Sequence, residues 1–271
     1  MQEPTVIEQP PLGQSPHVSP SSLKRGTPYQ AQKRLPMVPF RLLSKPKVLP
    51  TKTIRFWFRT RLIHAAATQI EKELPNVLLL QVAPSIIDQL IGIGVSLLPL
   101  PLRALVEKFF PEWNMPSRLA LKTHKKGWDE EFEVEKSTYA AMKDLQGIRI
   151  PKYYGELKYN GTRAILLSDI GGACIGDPAG AILGREEFRR MMNEALTDLA
   201  RFGVLPDDIR LENFHLINGE VMIIDFEMVR KCDSKEDSIR EVEHLTDWLA
   251  KLYEGRQQDF LNRAMIAKIE N

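Results

Sequence analysis

The fold prediction depends on one stretch, Asp208-Ile-Arg-Leu-Glu-Asn213 followed by Phe214-His-Leu-Ile-Asn-Gly-Glu-Val-Met-Ile-Ile-Asp225-Phe226-Glu227. Asn218-Gly219 is a dipeptide that favours the positive φ angles of a two-residue hairpin turn. We therefore predict that a strand over Phe214–Ile217 pairs with a strand over Val221–Ile224. The polar loop that carries Asp208 precedes this hairpin.

The predicted hairpin brings two polar residues together at its open end. Asn213 precedes the first strand and Asp225 follows the second, so both lie at the outer ends of paired strands. An amide oxygen beside a carboxylate is hard-oxygen ligation, which suits a magnesium ion already held by phosphates. Asp208, across the loop, is then available to act as a base.

A lysine and a glutamate upstream are predicted to form a buried pair. In Arg118-Leu-Ala-Leu-Lys122 the apolar residues alternate, as in a strand with Lys122 on its other face. Downstream, five residues recur at helical spacing, namely Trp128, Phe132, Glu135, Tyr139 and Met142. A carboxylate on the buried face of a helix needs a partner, and Lys122 is the natural one. The alternative is that Glu135 only borders the apolar stripe and is solvated.

The segments between these motifs continue the pattern. Pro151–Leu157 and Arg163–Leu167 are predicted strands around an Asn160-Gly161 turn. The bend Leu167-Ser168-Asp169-Ile170-Gly171-Gly172 follows, and Arg185–Phe202 is predicted to be an amphipathic helix that leads to the Asp208 loop.

These motifs together resemble protein kinases. In that family a His-Arg-Asp-x-x-x-x-Asn loop is followed, after a hairpin, by Asp-Phe-Gly. The chain keeps the Asp-to-Asn spacing and the Asp-Phe pair, but has Pro206-Asp207 in place of His-Arg and Glu227 in place of Gly. More narrowly, it resembles poorly characterised fungal kinase-like proteins with a Gly-Val-x-x-x-Asp-x-x-Leu-x-Asn-Phe loop and an Asp-Phe-Glu ending. The resemblance covers roughly Pro116 to Tyr253.

The resemblance implies an α+β, two-lobed protein-kinase-like fold that binds ATP and Mg²⁺. It implies that Lys122 positions the phosphates while Glu135 holds the lysine. The segment of Leu167, Ser168 and Asp169 corresponds to the hinge between the lobes, where backbone groups hold adenine.

The same resemblance assigns the catalytic and metal-binding residues. Asp208 is expected to accept the proton of the acceptor hydroxyl, and Arg210 to neutralise charge on the γ-phosphate. Asn213 and Asp225 are expected to bind the metal. The short sequence after Asp225, with no Ala-Pro-Glu element, predicts a reduced C-terminal lobe that largely lacks a peptide platform.

The remaining sequence is assigned to a tail and an extension. Residues 1–48 are rich in Pro, Gln and Ser and are predicted to be a disordered tail. Residues 49–117 are predicted to be a helical, apolar extension that packs on a small lobe of residues 118–168, with residues 169–271 as the large lobe.

Within this extension, Ile54 to Glu73 is predicted to be a helix whose interleaved arginines make a solvated face, with a membrane-surface helix as the alternative. Val77 to Phe110 is predicted to be core, since its uncharged runs are shorter than the ~20 residues that span a bilayer. Gly92-Ile-Gly94 is the one candidate for a glycine-rich phosphate loop, although glycines in an apolar segment more often reflect packing.

Composition excludes several classes. The net charge of +2 and the absence of a basic patch interleaved with aromatic residues argue against a nucleic-acid partner. Two cysteines, Cys174 and Cys232, provide no disulfide framework, and no apolar run near the N-terminus resembles a signal-peptide core. We therefore expect a cytoplasmic or nuclear protein that is not secreted and has no transmembrane segment.

The function predicted is ATP- and Mg-dependent transfer of the γ-phosphoryl group to a hydroxyl acceptor, on a protein or a small molecule. Two alternatives stay open, so enzymatic activity itself is uncertain at this point. One is a pseudokinase or scaffold with weak or no nucleotide binding, favoured by the missing glycine loop and by Glu227. The other is a small-molecule kinase similar to aminoglycoside phosphotransferases, favoured by the short C-terminal part.

Overall fold

An antiparallel sheet of six strands is formed from the first half of the described chain. The computed structural model describes residues 50–69, 76–232 and 234–269. The strands are β1 (Thr51–Phe58), β2 (Arg61–Gln69), β3 (Val77–Val82), β4 (Arg118–Thr123), β5 (Tyr153–Tyr159) and β6 (Thr162–Ser168). Their order in the sheet is β1-β2-β3-β4-β6-β5.

The sheet curls, so that its two edge strands meet across its inner face. The rings of Phe56 on β1 and Tyr159 on β5 pack edge to face with centroids 6.0 Å apart. Apolar side chains alternate with others along each strand, so they form a separate core on this face. Strand β4 contributes Leu119 and Leu121 to it. Because successive side chains of a strand point to opposite faces, Lys122 lies on the outer face of the sheet.

The helix predicted for Ile54 to Glu73 is wrong, because this sequence forms strands β1 and β2 as far as it is described. On β1, buried Ile54, Phe56 and Phe58 alternate with exposed residues, a period of two instead of 3.6. A tight turn with Arg59 at φ 51° joins the strands. The extension is therefore not helical here, and its strand β3 pairs directly with β4 in one continuous sheet.

Two helices connect β3 to β4, α1 (Ile86–Ser96) and α2 (Leu100–Phe109). The prediction that Val77 to Phe110 is core holds for strand β3 but is wrong for the helices. No residue of α1 is buried, and most of its large apolar side chains face away from the protein. Gly92 and Gly94 lie within α1 with open space around them, so they form no loop.

The second half of the chain contains most of the helical structure. Helix α3 (Asp129–Ala141) precedes the β5–β6 hairpin, and α4 (Arg185–Ala200) and α5 (Lys235–Ile269) pack against each other. Five short strands complete this half: β7 (Ala173–Cys174), β8 (Val204–Pro206), β9 (Phe214–Ile217), β10 (Glu220–Ile223) and β11 (Val229–Lys231). β10, β9 and β7 form one sheet, and β8 pairs with β11.

A second core joins α3 to these elements. It contains buried aromatic side chains from each part, among them Phe132, Tyr139, Phe188, Phe226 and Tyr253. The α+β class is thus confirmed for the described residues, with antiparallel sheets and five α-helices. None of the helices in the described ranges combines the length and hydropathy needed to cross a bilayer. The predicted tail of residues 1–48 lies outside the described residues.

Candidate functional site

Lys122 lies at the centre of a buried ionic cluster. Its side chain projects from the outer face of β4, and only 7% of the residue is exposed. Its ammonium nitrogen lies 2.8 Å from Oε2 and 3.0 Å from Oε1 of Glu135, and 2.8 Å from Oδ1 of Asp225. The predicted ion pair between Lys122 and Glu135 is therefore present, and Asp225 joins it.

Glu135 is held in place by the buried face of α3. It is 1% exposed, between Phe132 one turn before it and Tyr139 one turn after it, as the helical stripe predicts. Burial outweighs the attraction of Lys122 and raises the pKa of Glu135. For Lys122, burial opposes the charged form, but the carboxylates around it, Glu135 first, outweigh that and raise its pKa.

Asp225 follows β10 with an unusual backbone conformation. Its φ is 66°, in the left-handed region that few residues other than glycine, asparagine and aspartate adopt. Burial acts to raise its pKa, but the charge and hydrogen bond of Lys122 outweigh it and lower the pKa. The next residue, Phe226, is fully buried with its ring edge-to-face on Tyr139, the centroids 5.3 Å apart. This contact fixes Asp225 relative to α3.

A third carboxylate in the cluster was not predicted. Oε1 of Glu227 lies 3.1 Å from Nζ of Lys122, and its other oxygen accepts a hydrogen bond from Lys125. In the sequence, Glu227 is only a departure from the kinase pattern, and no motif includes Lys125. No periodic pattern in the sequence indicates these contacts, because the position of Glu227 depends on the left-handed backbone of Asp225.

The cluster contains three carboxylates and two lysines. Glu135, Asp225 and Glu227 each offer an oxygen, and these oxygens lie within 4.8 Å of one another. Oxygen ligands of this kind suit hard cations. Lys122 contacts all three, so a cation bound by them would have to share the site with the ammonium group or displace it.

The Asp208 loop forms a second set of residues. Arg210 Nε donates to Asp208 Oδ1 at 2.9 Å, and a second guanidinium nitrogen contacts the other carboxylate oxygen. Asn213, 6% exposed, donates its side-chain amide to the backbone carbonyl of Asp208 at 3.0 Å. The side-chain oxygen of Asn213 takes no part in this hydrogen bond.

The predicted hairpin connects the two sets. Asn218 and Gly219 have φ angles of 52° and 82°, as the predicted turn requires. The strands pair with Ile217 opposite Glu220, so the return strand begins one residue before the predicted Val221. At the open end, the backbone N–H of Ile224 donates to the carbonyl of Asn213 at 2.9 Å. The backbones before Asp225 and at Asn213 are thus joined directly.

The predicted hinge residues lie at the end of β6, beside β4. Leu167 is buried, and the backbone N–H groups of Ser168 and Asp169 donate to the carbonyls of Lys152 and Arg118. The Asp169 carboxylate pairs with the Arg118 side chain at 2.8 Å. These amides are therefore already satisfied within the protein.

The structure thus brings Lys122, Glu135 and Asp225 into contact and holds Asp208, Arg210 and Asn213 in an adjoining loop. A buried lysine with a raised pKa stays cationic, so it suits binding of an anionic group and not proton abstraction. Compared with known proteins, the chain matches no protein family and no curated protein.

Proposed function

We propose that the chain has a two-lobed protein-kinase-like fold with a reduced C-terminal lobe and transfers the γ-phosphoryl group of Mg-ATP to a hydroxyl acceptor. One observation carries the proposal, the contact of Lys122 with both Glu135 and Asp225. The lysine, glutamate and aspartate come from a strand, a helix and the end of a hairpin, in the order that kinases use. A structural ion pair needs no such third partner.

In this proposal the carboxylates have different tasks. Lys122 binds phosphate oxygens and Glu135 orients the lysine, while Asp225, with Asn213 across the hairpin end, provides oxygen ligands for Mg²⁺. When bound, the metal neutralises the charge that develops on the phosphates. The side chain of Asp208 accepts the acceptor's proton once Arg210 has turned from it toward the γ-phosphate.

The first test is a thermal melt with Mg-ATP. A ligand at 100 times its Kd stabilises the folded state by ~2.7 kcal/mol, so wild type should melt at a higher temperature with Mg-ATP. Asp225→Asn should abolish the shift, since asparagine tolerates the left-handed backbone but removes the charge. Asp247→Asn, an equal change on the exposed face of α5, is the matched control and should keep the shift.

Catalysis is tested separately from binding. Asp208→Asn should leave the Mg-ATP shift intact and lower phosphoryl transfer by ~10²–10⁴-fold, the usual effect of losing a positioned general base. Acceptors should include both proteins and small hydroxyl compounds. Transfer only to small hydroxyl compounds would favour the alternative similar to aminoglycoside phosphotransferases.

The second candidate is a pseudokinase or scaffold, and the position of Glu227 favours it. This carboxylate contacts Lys122 and Lys125, where it competes with a phosphate for the same cations. The segment Ile70–Pro75, which connects β2 to β3, contains no glycine to cover phosphates. For a scaffold, wild type should show no Mg-ATP shift, and Glu227→Gln should create one only if this carboxylate is what blocks the site.

A further inference from the structure

The two helices between β3 and β4, hereafter the α1–α2 hairpin (residues 86–109), present apolar side chains that no described part of the chain covers. On α1 and at its C-cap residue Leu97, apolar side chains follow the helical spacing i, i+4, i+7, i+11 (Ile86, Leu90, Ile93 and Leu97), and each is at least 59% exposed. An amphipathic helix of a globular protein directs such a stripe toward the core. Here it faces outward.

Helix α2 and the connection between the helices extend this apolar surface. Leu102, Leu105 and Phe109 form a second exposed stripe, at i, i+3 and i+7. The connection is Leu97-Leu98-Pro99, and Leu100, the first residue of α2, is 80% exposed. No charged residue occurs from Gln89 to Leu102. Apolar patches of this extent mark sites of interaction with proteins or membranes.

Buried polar contacts hold the base of the hairpin against the sheet. Arg61, beside the β1–β2 turn, pairs with Asp88 of α1 at 3.0 Å and donates to the carbonyl of Glu112 at 2.8 Å. Thr60 donates to the Glu112 carboxylate at 2.7 Å. Ser85 and Asp88 form a capping box that starts α1. These contacts hold the hairpin in a fixed position, and its apolar side chains are exposed in that position.

The charge distribution of the sequence indicates what covers the hairpin. Residues 9–70 contain eleven Lys and Arg residues and no Asp or Glu, whereas residues 71–271 contain 26 basic and 33 acidic residues. The basic segment ends in β1 and β2, whose turn carries the contacts to the hairpin base. Exposed Arg55 and Arg59 belong to it. Positive charge on β1 and its turn, close to the base of an apolar hairpin, complements an anionic lipid surface.

We propose that the α1–α2 hairpin inserts its apolar side chains into the interfacial region of an anionic bilayer, while the exposed Arg55 and Arg59 of β1 and the β1–β2 turn bind the lipid headgroups. Helices of 11 and 10 residues extend only ~15 Å each, about half of the hydrocarbon thickness, so they lie in the interface and do not cross it. Apolar insertion and basic charge each bind a membrane only weakly, but the two together give stable attachment.

Cosedimentation of the full chain with lipid vesicles tests this proposal. We expect binding to vesicles of phosphatidylcholine with phosphatidylserine, and at least tenfold weaker binding both to vesicles of phosphatidylcholine alone and at high salt, which screens the basic charges. Leu90→Glu with Ile93→Glu should lower binding to the anionic vesicles at least tenfold. Because both side chains are exposed, the melting temperature should not change.

The matched control places the same two charges on another exposed apolar surface. Leu261→Glu with Met265→Glu, on α5, should bind the anionic vesicles as wild type does. Equal binding by the hairpin variant and wild type, or no binding by wild type, would overturn the proposal. It would also be overturned if light scattering showed a wild-type dimer and a monomeric hairpin variant, since a second copy would then cover the hairpin.

Discussion

Lys122 illustrates which part of the site can be predicted from the sequence at the level of single residues. Its pairing with Glu135 follows from an apolar stripe that places one carboxylate on the buried side of α3, where it needs a cation. The part played by Glu227 does not follow, because it depends on the left-handed backbone of Asp225, which redirects the chain after β10. Periodicity contains no information about such a local conformation.

Because Lys122 has three ionic partners, variants of this cluster should lose different amounts of unfolding free energy. Removing one member of a buried pair costs ~3–5 kcal/mol because the other charge is left without a partner. For Glu135→Ala we expect the lower end of this range, since Lys122 keeps Asp225 and Glu227. Lys122→Met should cost more, because it leaves three carboxylates together. Urea unfolding at neutral pH measures both free energies.

Glu133→Ala is the matched control for Glu135→Ala. Its side chain is 55% exposed and pairs with Lys136 and Arg163 on the surface. Such pairs contribute ~0–1 kcal/mol. Equal losses of unfolding free energy for the two variants would show that the Lys122 pair contributes no more than a surface contact, and would remove the basis for its role at a phosphate site.

At the level of elements, the residues typical of turns predict the secondary structure better than the spacing of apolar residues does. Both hairpins predicted from Asn-Gly dipeptides are present, and Asn160 and Asn218 have the positive φ angles that this turn requires. Strands β1 and β2 were mistaken for a helix because the apolar residues of two strands joined by a tight turn also recur at three- and four-residue intervals. The tight Arg59-Thr60 turn has neither glycine nor proline to mark it.

An ionic network on the surface connects α3 to the β5–β6 hairpin. Glu156 of β5 is paired with Arg163 of β6 and with Lys136 of α3. The hydrogen bond from Arg163 is the largest influence, and together with Lys136 it outweighs partial burial and lowers the pKa of Glu156 from 4.5 to about 2. A carboxyl group with a lowered pKa stabilises the fold above its unfolded pKa and loses this effect as the pH falls through its folded pKa.

Glu156→Gln should therefore be destabilising at neutral pH, by ~1 kcal/mol for a partly exposed group. The difference from wild type should shrink between pH 4.5 and pH 2, because wild type takes up the proton that the variant cannot bind. Thermal melts across this range measure the difference. Glu130→Gln, at an exposed position of α3, is the control. A difference that stays constant down to pH 2 would contradict the assigned pKa.

At the scale of the molecule, the sequence indicated the order of the motifs better than the extent of the sheet. The α+β class follows from strands with short turns and from long helical stripes. The limits of the sheet do not, because β3 and β4 are neighbours in space but are separated in the sequence by the α1–α2 hairpin. Long-range pairing of this kind leaves no periodic signal. The start of the predicted small lobe, residue 118, consequently lies inside a continuous sheet.

This arrangement predicts how shortened chains behave. A fragment of residues 118–271 lacks β1, β2 and β3, which supply nine of the sixteen buried side chains of the inner core. It also exposes Leu119 and Leu121, both fully buried in the complete sheet. At ~1.5–3 kcal/mol for each large apolar side chain, this loss is as large as the ~5–15 kcal/mol by which a whole domain is stable. The fragment should aggregate or unfold without cooperativity.

A fragment of residues 50–271 keeps all six strands and both cores, so it should unfold cooperatively, within a few degrees of the full chain. Calorimetry and circular dichroism of the two fragments compare them directly. Cooperative unfolding of the 118–271 fragment would mean that the motifs from Lys122 to Asp225 fold without the first three strands. The pairing of β3 with β4 would then contribute little stability, and the boundary expected from the sequence would be the correct one.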